Sequence, residues 1–386
     1  MARRGGMVGP SVRRAAAALG LAVLALAVAG AGPGGVAEFS GTGAEQSRQR
    51  FAFHVELAAH SSLGLPREDI DISGGVWQKN IIDIGGWKLG IWRRQGPHHM
   101  AVIRRGMALH VRSLEQRMPS LVPAGFDGYV VIDYEAWWAL WERTSNQPSS
   151  APSDALDTDF KDDWRDFIRE RRPHLVDGLS AADAERVYEA TYEAHVRNFM
   201  LTTLYTCKRL RPRAKWGFYN YPQVLVNSDL TPPGVKGYGD LTHEASLLND
   251  QNQWLYDAAD FVAPRIYPPF EVLPETPEGG FKPGQIPVRG HEEWLSSMVR
   301  EAVRLARGKP VIPIHSAVYY SSQDISLQPV TYFQHREVFR ILAENGAAGV
   351  IVWHSVATAE ELDEYWRMWA EILKPAGEDA SREING

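Results

Sequence analysis

The chain has 386 residues, 44% of them hydrophobic and 23% charged, with a formal net charge of −6 at neutral pH. That is enough sequence for one large barrel or two ordinary domains with a sizeable core, and the acidic balance argues against nucleic acid as a partner. The single cysteine, Cys207, excludes an internal disulfide framework, so packing alone must hold the fold.

Residues 1–37 read as a leader rather than as fold. Arg3, Arg4, Arg13 and Arg14 precede an apolar run over 15–29, followed by Ala29-Gly30-Ala31 and a Gly/Pro stretch. This is the order of a charged region, an apolar region and a small-residue cleavage zone. The run falls short of the roughly 20 apolar residues that a spanning helix needs. A removed signal peptide is therefore expected, giving a secreted or periplasmic product with no membrane span. Losing four arginines and no acids takes the net charge from −6 to −10. Such a field opposes a polyanionic ligand unless the site carries its own basic lining.

Residues 51–57 predict a first strand, and residues 81–84 and 89–92 a second strand region broken at Gly85-Gly86. An amphipathic helix is expected over 96–117, stopped by Pro119 and Pro123. The turn signal Phe126-Asp127-Gly128 then leads into Val130-Val131-Ile132, the β-branched run of a buried parallel strand. This strand ends in Asp133-Tyr134-Glu135. Side chains alternate along a strand, so Asp133 and Glu135 point the same way, with Cα atoms roughly 6.5 Å apart. Two like charges that close in a recess cannot both ionise easily. Glycoside hydrolases use that condition to keep a proton donor charged with its proton. Asp-x-Glu is a short pattern, however, and a strand ending in two solvated acids would look the same.

A Ser/Pro/Asn-rich loop over 144–153 precedes a charged helix over 160–172. Ser180-Ala181-Ala182-Asp183 is a capping box opening a helix to about residue 210. Tyr188, Tyr192, Val196, Phe199 and Leu204 form its core stripe, and Cys207 reads as an inert buried thiol. Pro212 ends it, and 216–221 is the next strand. A Gly/Pro-rich loop over 227–239 leads to a helix over 247–257, with Asn249 and Asp250 read as capping its start. Strands over 261–267, 311–319 and 349–353 alternate with helices over 292–307, 334–344 and 360–373. A second Pro/Gly-rich loop fills 268–290.

About seven such units over residues 45–374 predict one α/β domain, a distorted TIM-like (β/α)7-8 barrel, with a disordered tail over 375–386. The strands' C-terminal ends carry the chemistry in such barrels, and Asp133, Glu135, Tyr219, Tyr267, Tyr319 and Trp353 all fall there. From the residues alone, those tyrosines and Trp353 read as core positions as readily as site positions. No His/Cys/Asp cluster has metal spacing, and the adjacent His98-His99 pair diverges, so neither metal nor cofactor is expected.

Four segments carry a family resemblance. They are Val131-Ile132-Asp133-Tyr134-Glu135-Ala136-Trp137 with Trp141; Arg211-Pro212 with Trp216-Gly217-Phe218-Tyr219; Asn249-Asp250 with Trp254-Leu255 and Pro264-Arg265-Ile266-Tyr267; and Gly346-Ala347-Ala348-Gly349-Val350-Ile351-Val352-Trp353. Together, and in this order, they resemble the hyaluronidases, glycoside hydrolase family 56. The resemblance implies a secreted, endo-acting, retaining hydrolase of β-1,4 N-acetylhexosamine linkages in hyaluronan or chondroitin-like chains, with a polysaccharide as its partner. It implies Glu135 as general acid and then base, and Asp133 as the group orienting the substrate's 2-acetamido carbonyl for attack on the anomeric carbon. Tyr219 and Tyr267 would touch that acetamido group and Trp353 would floor the subsite, with Tyr319 and Tyr134 as further substrate-binding residues.

Departures accompany the likeness. The family's pattern has Trp where Tyr134 stands and Ser where Arg265 stands. It often has Arg where Trp138 stands, so a cation suited to uronate carboxylates is lost. Arg265, Arg211, Arg213, Lys215, Lys88 and Arg93 are candidate replacements. The disulfides and cysteine-rich C-terminal module of eukaryotic members are missing, as in a bacterial-type minimal catalytic domain. One competing reading is a chitinase-like or peptidoglycan-directed hexosaminidase, suggested by Phe126-Asp127-Gly128 ahead of Asp133-Tyr134-Glu135. There the spacing is one residue too long, and Val131 replaces an acid. Another is a non-catalytic glycan-binding barrel.

Overall fold

The computed structural model describes residues 50–59, 76–78, 80–85, 106–134, 139–142, 160–222, 243–278, 280–282, 285–320, 325, 327–356 and 358–386. The expected leader, the strand over 89–92, the loops over 144–153 and 227–239, the His98-His99 pair and Glu135 lie outside the described residues.

Strand β1 (Ala52–Ala59) runs parallel to β9 (Gly349–Val356) along its whole length, Ala52 opposite Gly349 and Ala59 opposite Val356. Its other edge takes β2 (Trp77–Gln78), after which the chain enters β3 (Ile81–Gly85) and transfers to β4 (Tyr129–Asp133). Next comes β5 (Lys215–Phe218), paired with β4. The strand expected over 261–267 is reduced to bridges, Tyr219 to Ala263, Val262 to Val311 and Arg265 to Ile314. Pro264 interrupts that segment and has no N–H to donate, so a continuous ladder cannot form. Pro310 and Pro313 likewise shorten the strand expected over 311–319 to β8 (Ile314–Ser316), which pairs with β9. The described strands form two parallel sheets, β2-β1-β9-β8 and β3-β4-β5, joined on one side by those bridges into an open ring. Every ladder around it is parallel. A small parallel pair, β6 (Glu271–Leu273) and β7 (Gln285–Pro287), lies within the second Pro/Gly-rich stretch.

Alternation along β4 sorts the core. Val130 and Ile132 face outward, packing with Leu114 and Met118 of α1 (Met107–Leu121) and with Phe199 and Leu204 of α3 (Ala181–Leu210). Val131 faces inward with Ile81, Phe261, Ile312, Ile314 and Ile351, filling the ring. The sheet therefore encloses a packed centre under a helical coat, as branched side chains do in parallel barrels. Between these helices, α2 (Phe160–Arg171) buries Trp164 and Ile168 against the same outer layer.

The long helix α3 starts where the sequence predicts, with the Ser180 hydroxyl accepting from Asp183 N–H at 3.2 Å. Cys207 is buried, and burial pushes its thiol up to about 12. Pro119 does not stop α1. It sits in the last turn, where one missing backbone bond is the whole cost, and Val122 N–H still reaches Met118 O at 3.0 Å.

The single helix expected over 247–257 is two, α4 (His243–Gln251) and α5 (Gln253–Ala258). Asn249 and Asp250 therefore end a helix instead of capping one. The buried Asn249 amide donates to Glu301 at 3.1 Å, and Asp250 pairs with Arg304 at 2.8 Å, both on α6 (Val288–Ala306). Two helices flank β9, α7 (Tyr332–Glu344) before it and α8 (Ala359–Met368) after it. No described helix is long and apolar enough to cross a membrane.

The tail expected to be disordered is helix α9 (Lys374–Asn385). Ala376, Gly377 and Ala380 form a small-residue face that is buried, and a Cβ on Gly377 would overlap the Trp77 indole. The Asn385 amide accepts from Phe51 N–H at 2.9 Å and donates to Phe51 C=O at 3.1 Å. One side chain thus satisfies both backbone groups at the start of β1, and α9 covers the N-terminal end of that strand.

Candidate active site

The pocket grows out of the strand pleat. Ile81, Val131, Ile314 and Ile351 form its floor inside the ring. The next inward position, two residues along, is Asp83 on β3, Asp133 on β4 and Trp353 on β9, and these stand in the wall above the floor. Glu56, opposite Trp353 in the β1–β9 register, joins them. Tyr219, one residue past β5, and Arg265, Tyr267 and Tyr320 close the far side.

The aromatic rings are mutually braced. Tyr267 and Trp353 stack with centroids 5.9 Å apart and planes 14° off parallel. Tyr219 lies 6.2 Å and Tyr320 5.8 Å from Tyr267. Such pairs contribute about 0.5–1.5 kcal/mol each beyond area burial, which holds the rings in place before any ligand arrives. A sugar ring can lay its C–H face on an aromatic ring there while the carboxylates of the same cleft accept hydroxyl or amide hydrogens. The Arg265 guanidinium lies 5.6 Å from the Tyr267 centroid and 5.8 Å from that of Tyr320.

The structure thus brings four of the expected site residues into one cleft: Asp133, Tyr219, Tyr267 and Trp353. Two expected substrate-binding residues are elsewhere. Tyr134, next to Asp133 on the chain, faces the opposite way by the same alternation. Its hydroxyl donates to Thr203 at 3.4 Å in the layer between β4 and α3, its ring packs 5.6 Å from Phe199, and burial drives its pKa well up. Tyr319 is also buried, donating to Gln334 at 2.8 Å, and burial pushes it to about 12. Its neighbour Tyr320 takes the pocket position.

Glu56, Asp83 and Tyr320 were not anticipated. Asp83 was legible, since an acid within Ile81-Ile82-Asp83-Ile84 repeats the logic of Asp133 in Val130-Val131-Ile132-Asp133. Among the described residues no group of three or more His, Cys, Asp or Glu is arranged to hold a metal ion.

A parallel α/β barrel with carboxylates beside stacked rings at the C-terminal mouth of its strands is the architecture of a barrel glycoside hydrolase. The family model for hyaluronidases, glycoside hydrolase family 56, matches residues 103–374, and the chain belongs to that family. It is 24% identical to the hyaluronidase of Polistes annularis over 281 residues, covering 71% of this chain and 66% of that protein. With Homo sapiens hyaluronidase-1 it shares 29% identity over 255 residues, 64% of this chain and 50% of the human one. The fold resembles bee venom hyaluronidase in complex with a hyaluronic acid tetramer, with a TM-score of 0.61 at 20% identity over 84% of this chain and 98% of that one.

Proposed function

We propose that the chain is an exported endo-β-N-acetylhexosaminidase cleaving β-1,4 N-acetylhexosamine linkages of hyaluronan or chondroitin-like polymers, with retention and with help from the substrate itself. The observation that supports this best is that Asp133 lines the same pocket as Tyr219, Tyr267 and Trp353. In this reading Asp133 accepts a hydrogen bond from the acetamido N–H and aims its carbonyl oxygen at the anomeric carbon. Glu135 is assigned on sequence grounds, two residues beyond Asp133. It donates its proton to the glycosidic oxygen as the C1–O bond breaks and the C1–O(acetamido) bond forms. It then takes a proton from the water that reopens the ring, and two inversions at C1 give net retention. Two acids only two residues apart in the sequence cannot straddle a sugar as an inverting pair does. An internal nucleophile needs no straddling and gains an effective molarity of about 10⁵–10⁸ M.

Export rests on the residue 1–37 pattern, and the minimal, bacterial-type character on the single cysteine. The test is incubation with hyaluronan, chondroitin and chitin oligomers followed by reducing-end detection, for the native chain and Glu135→Gln. Cleavage of a uronate-containing polymer, lost in the variant while binding survives, is expected. Cleavage of chitin alone, or full turnover by Glu135→Gln, would refute the reading.

A further inference from the structure

Arg265 differs from the chain's ion-paired arginines in lining the candidate pocket. Arg165, Arg304 and Arg340 each contact carboxylates at 2.5–2.9 Å. Arg265 lines a pocket that also holds Glu56, Asp83 and Asp133, yet among the described residues it makes no ion pair. Its guanidinium lies instead near the rings of Tyr267 and Tyr320. Its backbone is fixed from below by the bridge to Ile314. Ring faces attract the cation but accept little from the in-plane N–H fork, so the fork keeps its capacity for a planar two-oxygen anion. Tyr320 is 57% exposed, so this end of the pocket opens to solvent.

Charge makes this placement consequential. The protein is acidic overall, and three carboxylates line the same cleft. A polyanionic chain would be repelled at that mouth without a local cation. We propose that Arg265, held by Tyr267 and Tyr320, takes the carboxylate of the uronate residue adjoining the N-acetylhexosamine whose linkage is cut. This assignment rests on the hexosaminidase reading above and adds to it the group that selects uronate-containing polymers over neutral ones.

The test is a two-by-two comparison. Wild type and Arg265→Gln are assayed on hyaluronan and on hyaluronan whose carboxylates have been reduced to alcohols, which keeps the scissile linkage and removes the anion. On native hyaluronan the variant should lose about 10- to 100-fold in kcat/KM, the scale of one charge-assisted hydrogen bond, chiefly through KM. On the reduced polymer the two proteins should agree within about twofold. Arg265→Lys, which keeps charge without the fork, should fall between them on native polymer. Equal losses on both polymers, or no loss on the native one, would overturn the role of Arg265 while leaving the hexosaminidase reading intact. Failure of wild type to cut either native hyaluronan or chondroitin would defeat that reading and this one together. Thermal midpoints of the variants, expected to match wild type, separate recognition from folding.

Discussion

Burial of the imidazoles predicts an acid-sensitive fold, and His291 allows the effect to be sized. It is 1% exposed on α6, packs 5.8 Å from Trp294, and neither ring nitrogen has a hydrogen-bond partner among the described residues. Burial, with a smaller contribution from His315, lowers its pKa from 6.5 to about 3. The folded protein therefore keeps His291 neutral over a range in which the unfolded chain takes up a proton. Stability is complete above the unfolded value of 6.5 and is lost as pH falls toward 3. By linkage the loss from this one group is about 2 kcal/mol at pH 5 and about 3 kcal/mol at pH 4. His315 and His335, in contact at 3.1 Å and both lowered by burial, add in the same direction.

His291→Leu removes the titration and two unmet polar atoms, so it should fold at least as stably as wild type at pH 8. Urea unfolding of both proteins at pH 8, 7, 6 and 5 measures the difference directly. The variant's advantage should grow by about 2 kcal/mol between pH 8 and pH 5. Parallel stability curves would show that His291 titrates normally in the folded state and would refute the argument.

Tyr134→Phe and Tyr319→Phe should each leave kcat/KM on hyaluronan within about twofold of wild type while costing about 0.5–1.5 kcal/mol of stability, read by kinetics and urea unfolding together. A hundredfold activity loss in either would return that tyrosine to the site. Gly377→Leu should destabilise by about 1–3 kcal/mol through overlap with Trp77, seen as a lower denaturation midpoint; an unchanged midpoint would mean that α9 is not docked. Trp353→Ala should weaken binding of hyaluronan oligosaccharides by about 1–3 kcal/mol, as loss of a stacking face does, measured by calorimetry on the Glu135→Gln background.

Much of the barrel was legible because parallel strands buried on both faces leave β-branched runs, as at Val130-Val131-Ile132, between amphipathic helices. The strand pleat then located Asp133, because Val131 had to point inward. The same rule already excluded Tyr134, whose side chain must leave the strand on the opposite face, but the family likeness drew it into the site. Tyr319 and Tyr320 were harder. Past β8 the chain is no longer a regular strand, and only Gln334 receiving the Tyr319 hydroxyl decides which of the two turns inward. The two proline-broken strands looked continuous because their apolar pattern survives where the backbone ladder does not. The C-terminal helix was hidden by its charge. Its buried face is Ala376, Gly377 and Ala380, residues too small to register as an apolar stripe.

The central claim, that Asp133 steers the substrate's own amide, is tested most directly by the kcat of Asp133→Asn on hyaluronan. A fall of about 10²–10³ in kcat with KM nearly unchanged is predicted, since an orienting contact matters most as charge develops on the acetamido group. Turnover within a few-fold of wild type would contradict it.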